Sequence, residues 1–500
     1  MTHHFTRRAL LTSALSSVAT VAFAEAPLTS LRPTARPDLD PKTSPLAQVS
    51  TADIIAEANL NGVVGFVVAD AKTGQMLEST DADIALPPAS VTKAVTALFA
   101  LDTLGGDFKF RTRLLATGPV VDGVLQGDLI LAGGGDPNLV TDELSSLVKK
   151  FVDTGVTKIT GSFQVWGEAL PYREEIDPPQ MDHLGYNPSV SGLNLNFNRV
   201  HFEWRRANGR YTVAMDARSA TQRPTVYTSK MRIVDRNLPI FTYAKAGAID
   251  EWTVARGALG EAGSRWLPVR NPAMYAGDVF QTMARALGVP LPNPEKIMDL
   301  SEGVEIAVQE SDDLTRMMRS MLRYSTNLTA EGAGLTATKK IVGQAYDIPE
   351  SAACMAQWVA QRADVRAEIA DHSGLSDETR ISAQDMVGLL RDPNAIATLR
   401  PILKNIPIVD EDRDEIAGFP AAVVAKTGTL NFVSSLAGYV RTRDGNDLVF
   451  TIFAADLEAR ARGKAAGDEQ PAGSISWNSR AKRLQQRLLQ RWALVYAESA

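Results

Sequence analysis

Cysteine is almost missing from this chain of 500 residues, which contains only Cys354. No disulfide can therefore form within it, and no cysteine cluster can hold zinc or an iron–sulfur centre. Histidine is scarce too, with only His3, His4, His183, His201 and His372. So few imidazoles leave little for metal ligation or imidazole base catalysis, and no metal or cofactor is expected. Excess positive charge is lacking: Lys plus Arg is 52 against 58 for Asp plus Glu, a net charge of −6. That argues against nucleic-acid binding through a basic surface. Neither a G-x-S-x-G elbow nor an H-E-x-x-H pair occurs, which removes the usual alternative hydrolases. Gly133-Gly134-Gly135 lacks the third glycine of a dinucleotide loop, because Asn138 stands where it would fall; a tight turn is expected there instead. The uncharged stretch Ala9 to Ala24 is shorter than the ~20 residues of a membrane-spanning helix.

What is present is an ordinary globular composition, 45% hydrophobic and 22% charged, long enough for two or three domains. Residues 1–24 combine Arg7 and Arg8, an apolar stretch and Ala22-Phe23-Ala24, the pattern of a secretory signal peptide. Thr6 to Leu11 resembles a twin-arginine signal, with Leu10 where Phe is usual, so both that route and general secretion stay open. An exported chain without disulfides fits a bacterial periplasm. Residues 25–47 carry Pro27, Pro33, Pro37, Pro41 and Pro45 and read as an extended linker. A helix from Ala52, a hairpin turning at Lys72 to Gln75, and a helix from Val91 to Gly105 follow. Residues 107 to about 270 alternate like strands, including NLNFNRVHFEW, and read as a β-rich block. Helical spacing returns at Ala273 to Leu287, through Ser311 to Ile341, and at Ser382 to Arg391. Val423 to Ala455 reads as antiparallel strands with a turn at Arg443 to Asn446. The Arg-rich segment Ser479 to Ala497 reads as a helix packing Leu484, Leu488, Trp492 and Val495 on the protein's own sheet, with at most peripheral membrane association.

Three short motifs carry chemistry. Ser90-Val91-Thr92-Lys93 puts a hydroxyl and an amine one turn apart on one helix face. A serine needs a neighbour to take its proton, and a buried lysine can be made basic enough and neutral enough to do so. The helix start adds a free N–H for a developing oxyanion. Ser325-Thr326-Asn327 follows a helical run, and Lys426-Thr427-Gly428-Thr429 lies on the apolar strand AAVVAKTGTL. Each triplet has a decoy: Ser146 to Lys149 and Ser479 to Lys482 for the first, Ser476 to Asn478 for the second, Lys72 to Gly74 for the third. Only one combination joins helix start, loop and strand in that order.

S-x-x-K, S-x-N and K-T-G are the motifs of the penicillin-recognising serine acyltransferases. The long gap between Ser90 and Ser325 resembles the D-alanyl-D-alanine carboxypeptidase/endopeptidase family, the class C low-molecular-mass penicillin-binding proteins, in which a large β-rich insertion fills it. GDLILAGGGDPNL, YNPSVSGLNLNFNRV, the run from Trp266 to Pro292, and Asp371 to Ser376 are similar to that family's recurrent segments. His372 stands where the family usually shows Gly, and reads as a neutral surface imidazole. Glu331, four residues past Asn327, reads as solvated or capping rather than as a deacylating base.

The resemblance implies an α/β fold, a β-lactamase/transpeptidase-like domain of antiparallel sheet flanked by helices, from residues 48–105 and 300–500. A β-rich module, 106–299, would interrupt it. It implies Ser90 as nucleophile, Lys93 as its base, Ser325 as proton relay, Asn327 orienting Lys93, and Lys426 drawing the substrate carboxylate and depressing the pKa of Lys93. Thr427, Gly428 and Thr429 would bind substrate, and backbone N–H groups of Ser90 and Thr429 would form the oxyanion hole. The partners implied are peptidoglycan stem peptides, with β-lactam antibiotics as covalent inhibitors. A catalytically weak wall-binding protein and a β-lactamase are the competing readings.

Overall fold

A computed structural model of the chain describes residues 44–363 and 365–497. The expected signal peptide, and the linker up to residue 43, lie outside the described residues. The fold begins earlier than expected at residue 48: Pro45–Gln48 is already a short helix with Pro45 in its first turn, where a missing N–H costs nothing.

The central sheet has six antiparallel strands in the order Lys404–Asn405, Ala421–Leu430, Val433–Thr442, Asp447–Ala455, Val63–Asp70, Met76–Thr80. The expected turn between Arg443 and Asn446 joins two of these strands. The N-terminal strand pairs with the last one, Val63 opposite Ala455 and Val68 opposite Phe450, so the two ends of the chain are sewn together. Both faces are covered. Alternating side chains send Val64, Phe66 and Val68 to one face, where Trp477, Leu484, Leu488 and Trp492 of the helix Ser474–Val495 pack. The expected stripe thus lies inside the protein, apart from the half-buried Val495. On the other face Val67, Ala69, Tyr439, Val449 and Phe453 meet helices Thr92–Leu104, Leu314–Tyr324, Ile348–Ala363 and Ala383–Leu390. Thr92–Leu104 is buried on nearly every side, as its all-round apolar sequence requires. No helix among the described residues is long and apolar enough to cross a membrane.

The segment between the first two motifs builds a second layer system. A five-stranded sheet runs Pro294–Ile297, Phe163–Trp166, Leu129–Ala132, Arg111–Ala116, Val304–Glu310, beside three three-stranded sheets. The segment is β-rich as expected and also carries helices: Pro272–Ala286, over the expected helical stretch, and Thr141–Asp153, which was not expected, pack on the sheet through Leu144, Leu147, Val148, Phe151, Val279 and Phe280. The expected boundary at 299 also falls short, because Val304–Glu310 pairs with Arg111–Ala116; the chain returns to the helices over the central sheet only at Leu314. NLNFNRVHFEW becomes a strand only from Arg199. Asn196, Phe197 and Asn198 hold positive φ instead, and the Asn196 and Asn198 amides are tied inward to Thr141 and Ser189.

Candidate active site

Pro87 and Pro88 bring the chain to Ala89, whose φ of 47° is left-handed, a strained setting for a residue with a Cβ. Ser90 sits in the tight turn Ala89–Val91, and the helix begins at Thr92. Lys93, one turn on, is fully buried. Its Nζ lies 3.0 Å from Ser90 Oγ, 2.7 Å from Asn327 Oδ1 and 2.6 Å from the Ser373 carbonyl oxygen. Nζ donates to all three, as an ammonium can, and on losing a proton it can keep the two carbonyl-type oxygens and turn its lone pair to the Ser90 hydroxyl. Burial lowers the pKa of Lys93 to about 8, with Asp371 and Glu331 pulling the other way.

The second motif is a helix break. Ser325 closes the helix Leu314–Tyr324 with φ 60°, and Asn327 opens Asn327–Val342. The two side chains then part company. Lys426 Nζ donates to Ser325 Oγ at 3.0 Å, while Asn327 Nδ2 donates to the Tyr186 carbonyl oxygen at 2.7 Å. Lys426 is buried on the third-motif strand and its pKa is driven well down, first by burial and then by repulsion from Lys93 and Lys404. The expected influence therefore runs differently: burial is what depresses Lys93, and the mutual repulsion falls on Lys426.

The strand Ala421–Leu430 has a half-open edge. Its outer neighbour pairs only with Val424 and Ala425. The Ile406 N–H donates to the Val423 carbonyl oxygen at 2.9 Å, so odd-numbered residues turn their backbone groups outward. By that alternation Thr427 and Thr429 point theirs off the uncovered edge. Gly428 is required by close approach: a Cβ there would stand 2.5 Å from the Pro88 carbonyl oxygen and 3.1 Å from the Ser90 nitrogen. The strand and the serine turn thus touch backbone to backbone.

A cleft of about 510 Å³ is lined by Ser90, Ser325, Asn327 and Thr429, by Tyr186 of the inserted segment, and by Glu469. Thr427 and Gly428 line an adjoining groove of about 490 Å³ that shares Thr429. All eight expected site residues are thus gathered at one place. Two decoys are elsewhere, Ser146 being exposed on the helix Thr141–Asp153 and Lys72 to Gly74 forming a hairpin turn, whereas Asn478, Ser479 and Lys482 line the groove beside the site from the helix Ser474–Val495. Asn478 of the second decoy donates to the Leu430 carbonyl oxygen. No group of metal-ligating side chains occurs among the described residues.

Two expectations are overturned. His372 is buried, not on the surface: it stacks with Phe99, its Nε2 meets Ser351 Oγ at 2.7 Å, and burial alone lowers its pKa to about 3. Its neutrality stands, but for the opposite reason. Glu331 is neither solvated nor a cap; it is fully buried and accepts the His372 N–H at 3.1 Å. Asp371 is a site residue that the motifs do not flag. Its carboxylate accepts from the N–H groups of Ser373, Gly374 and Ser376, an Asp-led turn legible in Asp-His-Ser-Gly, and so fixes the carbonyl that holds Lys93.

This fold and site define a serine hydrolase of mixed α/β architecture. The chain matches the D-Ala-D-Ala carboxypeptidase 3 (S13) family over residues 47–472 and belongs to that family. A D-alanyl-D-alanine carboxypeptidase of Actinomadura sp. (strain R39) is 25% identical over 447 residues, covering 80% of this chain and 79% of that protein. One from Haemophilus influenzae is 23% identical over 444 residues, covering 83% and 91%. Penicillin-binding protein 4 of H. influenzae has the same fold, with a TM-score of 0.70 at 19% identity over 88% of this chain and 99% of that one, and it has also been solved in complex with a β-lactam.

Proposed function

We propose that this protein is a serine DD-peptidase of the cell wall, cleaving the terminal D-Ala-D-Ala bond of peptidoglycan stems, and D-Ala-diaminopimelate cross-links, through an acyl-enzyme on Ser90. The observation that carries the reading is a fully buried Lys93 whose amine lies 3.0 Å from Ser90 Oγ with its pKa lowered to about 8. Lys93 takes the Ser90 proton as Oγ attacks the penultimate carbonyl. The oxyanion faces the N–H groups of Ser90 and Thr429, which meet across the Gly428 contact. The stem backbone pairs along the open edge at Thr427 and Thr429, and Lys426 with the two threonine hydroxyls receives the terminal carboxylate. That anion restores positive charge to Lys426 by direct attraction. Ser325, already bonded to Lys426, relays a proton to the departing amine, and water then releases the product.

A β-lactam mimics the scissile dipeptide and acylates the same hydroxyl. The segment 1–24 supports export to the periplasm. The module inserted between the first two motifs supplies Tyr186 to the cleft wall, which supports a role in selecting stems.

The test incubates the protein with labelled penicillin, maps the adduct, and follows D-Ala release from a pentapeptide. An adduct on Ser90 together with release is expected. An adduct without release would make the protein a binder, and rapid loss of the adduct as penicilloate would make it a β-lactamase.

A further inference from the structure

Glu331 is a buried acid at the site that the proposed reaction leaves unused. It follows Asn327 by four residues on one face of the helix Asn327–Val342, one turn below the amide that holds Lys93. Its Oε2 accepts the His372 backbone N–H at 3.1 Å, the Ser373 hydroxyl is near enough to favour its anion, and its Oε1 is buried without a hydrogen-bond partner among the described residues. Several charged groups surround it. Lys93 approaches from the helix Thr92–Leu104 and Asp371 from its turn, with Lys426 beyond Lys93 on the third-motif strand. Asp136 lies in the turn packed against Gly332, and His372 is kept neutral by burial.

The two acids are unequally served. Asp371 is also pushed up by burial, but it receives three backbone N–H groups, from Ser373 at 3.0 Å, from Gly374, and from Ser376 at 2.7 Å, which oppose that push by stabilising its anion. An unpartnered carboxylate oxygen is far costlier to bury than an unpartnered oxygen of the neutral acid. Burial, reinforced by Asp371, accordingly pushes Glu331 up to about 8.

We propose that Glu331 sits in the fold as the protonated acid and is a positioning residue that lets Lys93 act as a base, by withholding a second negative charge from its surroundings. The proposal rests on the reading of Lys93 as the base. Two ionised carboxylates would hold the proton on the amine, whereas Asp371 alone orders the turn whose Ser373 carbonyl grips it.

Glu331→Gln keeps shape and neutrality. A carboxyl whose pKa is raised on folding, here from 4.5 to about 8, stabilises the fold fully below the lower value and loses that contribution as pH climbs to the upper one. Thermal unfolding of the full chain should therefore show wild type falling steadily behind E331Q between about pH 5 and 8, with the gap constant above. Parallel curves would overturn the proposal. In penicillin acylation, the acid limb of E331Q should coincide with that of wild type, and E331Q should be the faster above about pH 8, where wild-type Glu331 ionises and draws the proton back onto Lys93. An acid limb displaced by about a unit or more to lower pH would mean that Glu331 is ionised in the working enzyme, and would also overturn it. Should E331Q fail to fold, Glu331→Leu enters the same unfolding comparison. That comparison needs no turnover: absence of acylation in wild type would sink the peptidase reading, while the curves still decide the state of Glu331.

Discussion

Lys93 owes its chemistry to where it is buried. The same Ser-x-x-Lys spacing at Ser146 to Lys149 has an exposed serine and an exposed lysine. Acylation of wild type should accordingly rise with pH through about 8, as Lys93 loses its proton, measured by labelled-penicillin uptake at fixed times. Ser90→Ala should abolish the adduct, and Lys93→Met should slow it by roughly 10³-fold or more, with both variants keeping a wild-type circular dichroism spectrum. His372 makes a different prediction. Burial lowers its pKa from 6.5 to about 3, so the folded state binds fewer protons than the unfolded one between those values. Its contribution to stability is present above pH 6.5 and lost as pH falls towards 3. His372→Gln lacks that term, and unfolding between pH 7 and 4 should show wild type losing ground to it on the acid side.

Among the elements, the site depends on how closely a strand, a turn and two helices approach. Gly334 gives room on the helix Asn327–Val342 for the His372 imidazole, which a Cβ would overlap. Gly428 does the same on the strand facing Pro88. Gly428→Ala should push the strand edge from the serine turn, spoil the pair of N–H donors, cost about 10- to 10³-fold in acylation and lower the unfolding temperature. The element types were legible in the sequence because their apolar periods are long and capped. The helix from Thr141 escaped the strand-like reading of its surroundings even though Leu144, Leu147, Val148 and Phe151 repeat at helical spacing. Val304–Glu310 escaped because its partner Arg111–Ala116 lies far off in sequence, and pairing at that distance leaves no local mark.

Across the molecule, the inserted segment and the catalytic layers meet through a small apolar cluster, Leu170, Ile176 and Val190 against Leu328, Leu335, Ile348 and Leu375. Polar ties flank it: Lys339 Nζ donates to the Ala169 carbonyl oxygen at 2.8 Å, and Arg173 pairs with Asp347 at 2.9 Å. The segment otherwise keeps a core of its own. Leu335→Ala should cost about 2–4 kcal/mol and split the unfolding seen by calorimetry into two transitions, the inserted segment and the rest, where wild type shows one.

The order of amino acids was enough to specify the motifs, their succession, the flanking element types and the family resemblance, because residue identity and short-range periodicity are local properties. It took the folded chain to establish that Asp371 and Glu331 flank Lys93, that His372 is interior, and that the insertion ends past Glu310. Burial and charge proximity depend on which distant segments close over a residue. No spacing within a single helix or turn encodes how much water remains beside its side chain.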